Sequence, residues 1–135
     1  MGAEEVKILI VEDNLILAQD MRDIVSGLGY ETSGLAESFE TARLLAPFST
    51  IALVDVNLSD GATGPRIGQY LATEFGISVV MVTANPQAIQ SGLSNVIGVI
   101  SKPVDPTIVG NVLNYIRAIR EGRVAHAPSE IRLLS

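Results

Sequence analysis

A run of four apolar residues ending in a carboxylate, Ile51-Ala52-Leu53-Val54-Asp55, sets the tightest limit on how this chain can fold. An unbroken apolar run of that length reads as a strand buried on both faces, the strand of a parallel sheet covered by helices. Val56 follows, and the stretch through Asn57 to Asp60-Gly61 reads as a turn. Asp55 thus falls at the carboxyl end of a buried strand, where open α/β sheets form their binding crevice. A carboxylate buried there costs free energy unless other groups offset it.

Four further stretches read as strands. Val6–Val11 (VKILIV) ends in Glu12 and Asp13, and Tyr30–Ala36 alternates weakly around Gly34. Ser78–Val82 ends at Thr83, and Val96–Ser101 ends at Lys102-Pro103. Between them lie amphipathic patterns. Asn14 caps a helix buried through Leu17, Ala18, Met21, Ile24, Val25 and Leu28, with Gly27 and Gly29 as stops. Ser38 opens a short helix to about Leu45, which Pro47 closes. Pro65 starts a helix that runs to Phe75 and ends at Gly76. Pro86–Leu93 reads as a weak helix, and Asp105-Pro106 opens a final one with Ile108, Val109, Val112, Leu113, Ile116 and Ile119 on its buried stripe. Strand and helix alternate five times, which predicts an α/β fold: a parallel five-stranded sheet with helices on both faces. Residues 1–121 read as one domain. Residues 122–135 read as a polar tail with an apolar end (Ile131, Leu133, Leu134), either loose or docked on the domain or a partner.

With 47% hydrophobic and 18% charged residues over 135 positions, the chain has a globular composition. Lacking cysteine, it excludes a disulfide framework, a thiolate nucleophile and a Cys-ligated metal. A net charge of −6 argues against nucleic-acid binding. No run is long enough to span a membrane and none resembles a signal peptide, so a cytoplasmic location without membrane contact is expected. His126 stands in a polar, proline-containing tail and reads as a solvated residue.

At the carboxyl ends of the strands this topology collects Glu12, Asp13, Asp55, Thr83 and Lys102. Three adjacent carboxylates repel, and a hard divalent cation relieves that repulsion. Magnesium (Mg2+) prefers oxygen ligands and binds through one or two carboxylates plus a phosphate. Glu12, Asp13, Asp55 and the backbone carbonyl of Asn57 are the expected ligands. Lys102 adds a mobile positive charge and Thr83 a hydroxyl donor. Such a set suits transfer of a phosphoryl group onto the Asp55 carboxylate, with Thr83 and Lys102 assisting.

The motifs ILIVEDN, LVDVNLSDG, VMVTAN and ISKP occur in this order on a strand–helix frame, and over Lys7–Glu121 the chain resembles the receiver domains of two-component response regulators. The resemblance implies a flavodoxin-like sheet of strand order 2-1-3-4-5 and a cis peptide at Lys102-Pro103. It also implies phosphorylation of Asp55 by a histidine kinase or phosphotransfer protein, and a switch in binding of a downstream protein target. Asn57 and Asn85 are then expected to tune self-dephosphorylation. With no output module in the sequence, the resemblance is to stand-alone receivers; a homodimer stays open, as does a receiver-fold interaction module that does not turn over phosphate. The start of the first helix carries more apolar residues (Leu15, Ile16, Leu17) than one buried stripe requires, which suggests a docking face. Where receivers commonly carry Tyr or Phe, three residues before the lysine, this chain has Val99. Valine is stiff and has no ring to relocate, so the signal is expected to pass through the pliable segment Asn85–Asn95 instead.

Overall fold

The computed structural model describes residues 5–58, 63–89 and 95–134. The chain forms β1 (Lys7–Val11), α1 (Leu15–Gly27), β2 (Glu31–Ala36), α2 (Phe39–Leu45), β3 (Ile51–Asp55), α3 (Gly64–Phe75), β4 (Ser78–Thr83), β5 (Val96–Ser101), α4 (Pro106–Arg120) and β6 (Ile131–Leu133). The sheet order is β2-β1-β3-β4-β5-β6, parallel throughout except for β6, which lies antiparallel to β5. The expected flavodoxin-like order 2-1-3-4-5 is therefore present, extended by a sixth strand drawn from residues 122–135.

Alternation along each strand divides the core. Leu9, Val11, Ala52, Val54 and Met81 face α2 and α3, where Ile67 and Leu71 pack against them. Ile8, Ile10, Leu53, Val80 and Val82 face the other way, against Ala18 and Val25 of α1 and Val112, Leu113 and Ile116 of α4. All five residues of β3 are buried, as its apolar run requires. Helix starts follow the capping residues: the Asn14 side chain accepts from Leu17 N–H (3.2 Å) and that of Asp105 from Ile108 N–H (2.9 Å). Gly76 ends α3 in the left-handed region, φ 67°, a conformation glycine takes without strain.

As expected, α2 is capped by Ser38 and ends at Leu45, and Pro47 lies in the 3-10 turn over Ala46–Phe48 that follows, where its fixed φ fits. One local expectation differs from the structure. In place of a helix opening at Pro86, the structure has a 3-10 turn over Pro86–Ala88. The remainder of that stretch, residues 90–94, lies outside the described residues, as does the Asp60-Gly61 turn.

Candidate functional site

Parallel strands of similar register end together. Val11 lies beside Val54, Asp55 beside Val82 and Thr83 beside Ser101, so the residues that follow emerge at one edge of the sheet. There, one carboxylate oxygen from each of Glu12, Asp13 and Asp55 lies within 4.8 Å of the others. Lys102 Nζ is 3.4 Å from Asp55 Oδ1 and 3.8 Å from Glu12 Oε1. Asp55 is 7% exposed, so this is a water-poor setting in which charges act strongly on one another. The backbone N–H of Asn57 donates to Asp55 Oδ1 at 3.1 Å, folding the chain over the carboxylate.

Two further contacts set the lysine and the threonine. Lys102 N–H donates to the Thr83 carbonyl (2.8 Å), and the next peptide, Lys102-Pro103, is cis, as the resemblance implied. Thr83 is buried at the end of β4, and its Oγ1 accepts from Asn85 N–H at 3.1 Å. A hydroxyl that accepts in this way keeps its own proton to donate. The structure thus gathers Glu12, Asp13, Asp55 and Lys102 into one cluster, with Thr83 at the neighbouring strand end.

Glu12 carries the electrostatic strain of the cluster. Its carboxyl is pushed up to about 7 from the ordinary 4.5, chiefly by burial. The Asn14 backbone N–H opposes that rise, the hydrogen bond and charge of Asp55 add to it, and Lys102 counters part of the charge effect. Because the folded value lies above the unfolded one, folding takes up a proton between the two. The associated stability is complete below about 4.5 and lost as pH rises through about 7. In chelator, the melting temperature should therefore fall by several degrees from mildly acid to neutral pH and then level off. A melting temperature that rises over this window would contradict the assignment.

A cavity of about 480 Å3 opens beside the carboxylates, floored by Leu53 and Val82 and walled by Leu17, Met21, Pro103 and Val104. At its rim the start of α1 shows an apolar surface: Leu15 is 62% exposed, Ile16 70% and Leu17 46%. The sequence reading pointed to the apolar excess here but not to the cavity, which arises from tertiary spacing between α1 and the segment after Lys102. Another feature it did not foresee is Arg132 of β6, whose guanidinium reaches backbone carbonyls behind β4.

No family model matches the chain. It is 31% identical over 112 residues to the phyllosphere-induced regulator PhyR of Methylorubrum extorquens, which covers 80% of this chain and 42% of that protein. The chain thus spans less than half the length of this curated relative. Among solved structures, the anti-anti-sigma factor PhyR of Bartonella quintana superposes with a TM-score of 0.75 at 21% identity, covering 90% of this chain and 49% of the other. A CheY-like receiver domain protein of Methanospirillum hungatei gives 0.73 at 22% identity, covering 88% of this chain and 98% of the other. These superpositions speak for the fold, and the sheet order is the one the resemblance called for. Taken with the alignment to PhyR, they show that the chain has the fold of response-regulator receiver domains and is similar in sequence to PhyR over 80% of its length.

Proposed function

We propose that this domain accepts a phosphoryl group on Asp55 from a phosphohistidine of a kinase or phosphotransfer protein, and that acceptance changes its binding to a downstream protein. The observation that supports this most is the placing of Lys102 Nζ within 3.4 Å of Asp55 beside a three-carboxylate cluster. An Asp55 oxygen attacks phosphorus, the P–N bond breaks, and the imidazole nitrogen keeps the electron pair. Lys102 then turns its charge from the carboxylate to a phosphoryl oxygen, and the Thr83 hydroxyl donates to another.

The donor set is all oxygen and anionic, which fits magnesium. Glu12, Asp13, Asp55 and the Asn57 carbonyl would hold the ion, with Glu12 acting mainly through water. Bound there, it would neutralise charge on the transferred group. Millimolar magnesium is accordingly expected to raise the melting temperature, and an unmoved transition would count against this ligand set.

Val99, 1% exposed, offers no ring to move. The response is assigned to Asn85–Asn95, whose described start carries only the 3-10 turn. Output through protein contact is in keeping with the name of the Bartonella relative, an anti-anti-sigma factor. Among the described residues no helix is long and apolar enough to cross a membrane, and we place the domain in the cytoplasm. Magnesium with beryllofluoride tests the reading by amide NMR. The largest shifts are expected at the carboxylate cluster and through Asn85–Asn95. Unchanged spectra would refute the phosphoryl reading, and an Asn85–Asn95 segment equally rigid in both states would refute its part in the response.

The exposed start of α1 is where the phosphoryl donor should dock. Ile16→Glu should leave stability within about 0.5 kcal/mol, as for an ordinary surface change. It should slow transfer from a protein donor about tenfold or more while sparing labelling by acetyl phosphate. An unfolded variant, or an unaltered transfer rate, would overturn this.

A further inference from the structure

After α4 the chain runs through exposed residues 121–126 and returns as β6. Leu133, Arg132 and Ile131 pair with Gly98, Val99 and Ile100, and Leu134 N–H donates to the Ile97 carbonyl at 2.9 Å. Ile131 and Leu134 are buried by this docking. Gly98 makes it sterically feasible. A Cβ at that position would stand 2.6 Å from the Arg132 carbonyl oxygen and 2.8 Å from Ile131 Cγ1. Glycine inside a strand commonly marks such a close approach of another backbone.

Arg132 lies opposite Val99, and Nη2 donates to the carbonyls of Pro86 (2.8 Å) and Ile89. Those carbonyls belong to the 3-10 turn that begins three residues past Thr83 and to its C-terminal cap. Their negative ends suit a cation. Arg132 Nε is buried with no partner, so among the described residues the guanidinium is held by the two carbonyls. If they move away, a part-buried cation loses both of these partners, which costs more than a hydrogen bond lost in water.

We infer that β6 is a latch: Arg132 makes the docking of β6 on β5 and the ordering of residues 86–89 one cooperative event. Opening it uncovers the backbone groups of the β5 edge. Thr83 stands at the other end of the same 83–89 connection, with Asp55 on the neighbouring strand beside Val82. Control of the latch by phosphorylation rests on the function proposed above; the coupling itself does not.

Hydrogen exchange on the full chain separates the two. Arg132→Met removes the tie, and Gly98→Ala lifts the strand without touching residues 86–89. Each variant should speed exchange at the Asn85, Ala88 and Ile89 amides and at Leu134 together, by about tenfold or more, the loss of a charge-assisted hydrogen bond. Exchange that rises at Leu134 alone in Gly98→Ala, with residues 85–89 as protected as before, would overturn the latch. Should Arg132→Met not fold, Arg132→Lys, which keeps the charge but one donor group, takes its place with the same expectation in weaker form. Magnesium with beryllofluoride forms a separate arm. If the variants show coupling while this probe leaves the wild type unchanged, the latch stands and the phosphoryl reading falls.

Discussion

Asp55→Asn is expected to reduce labelling by acetyl phosphate to background while leaving the fold intact. The amide keeps the shape of the carboxylate and can still accept the Asn57 N–H, a 3.1 Å bond in the native protein. It is not a nucleophile. The substitution also removes one of three carboxylates lying within 4.8 Å of one another. Glu12 then loses the neighbour whose hydrogen bond and charge help hold its carboxyl at about 7. The 3.4 Å pair with Lys102 is lost as well, but Lys102 keeps Glu12 as a partner. Without divalent ions the variant should therefore be the more stable form at neutral pH, by on the order of 1 kcal/mol. Intact mass and chemical denaturation in chelator check both halves. An undiminished adduct, or a variant much less stable than the wild type, would contradict them.

Gly64→Ala should give the largest loss of stability among single-methyl additions to α3. The added Cβ would lie 2.1 Å from the Asp55 carbonyl oxygen, 2.7 Å from Val56 Cα and 2.8 Å from the Val56 carbonyl oxygen. All three are backbone atoms, so no side chain can rotate out of the way. Either α3 moves off the end of β3 or the Asp55–Val56 backbone shifts, and both disturb the site. Overpacking of this kind costs about 3 kcal/mol or more, which lowers the melting temperature of a domain this size by roughly 10 °C. Gly68→Ala is the control. Its Cβ meets Met81 Sδ at 2.9 Å, a flexible side-chain atom that can shift. Equal, small losses for both variants would refute the steric argument.

Most of the fold was legible because each element carries its own period. The IALVD run, wholly apolar before its acid, could only be an inner strand, and the three- and four-residue spacing in Leu15–Leu28 could only be a helix face. Strand order came from the resemblance. Position on the sheet edge then followed for Glu12, Asp13, Asp55 and Lys102, since parallel strands end together. The strand β6 was not legible. Its three residues alternate apolar–polar–apolar over too short a span to signal a strand, and its stability comes from the β5 edge, a tertiary feature. Gly98 was the available signal, a glycine within VIGVIS that marks room for a neighbour. The helix expected over Pro86–Leu93 rested on a thin apolar stripe. Local propensity is weak there, and in the described residues the Arg132 tie to the Pro86 and Ile89 carbonyls stands where helical bonds would be. The direction of the Thr83 hydroxyl depends on a bond to Asn85, which no sequence period encodes.

The claim that Asp55 is the phosphoryl acceptor is open to a single experiment. The full chain is incubated with acetyl phosphate and magnesium and its mass is measured intact, with peptide mapping and a parallel sample in chelator. One phosphoryl group, about 80 daltons, labile to acid and base and confined to the peptide containing Asp55, is the expected result, absent when magnesium is withheld. A protein left unmodified under these conditions, or an adduct mapped to a different residue, would contradict it.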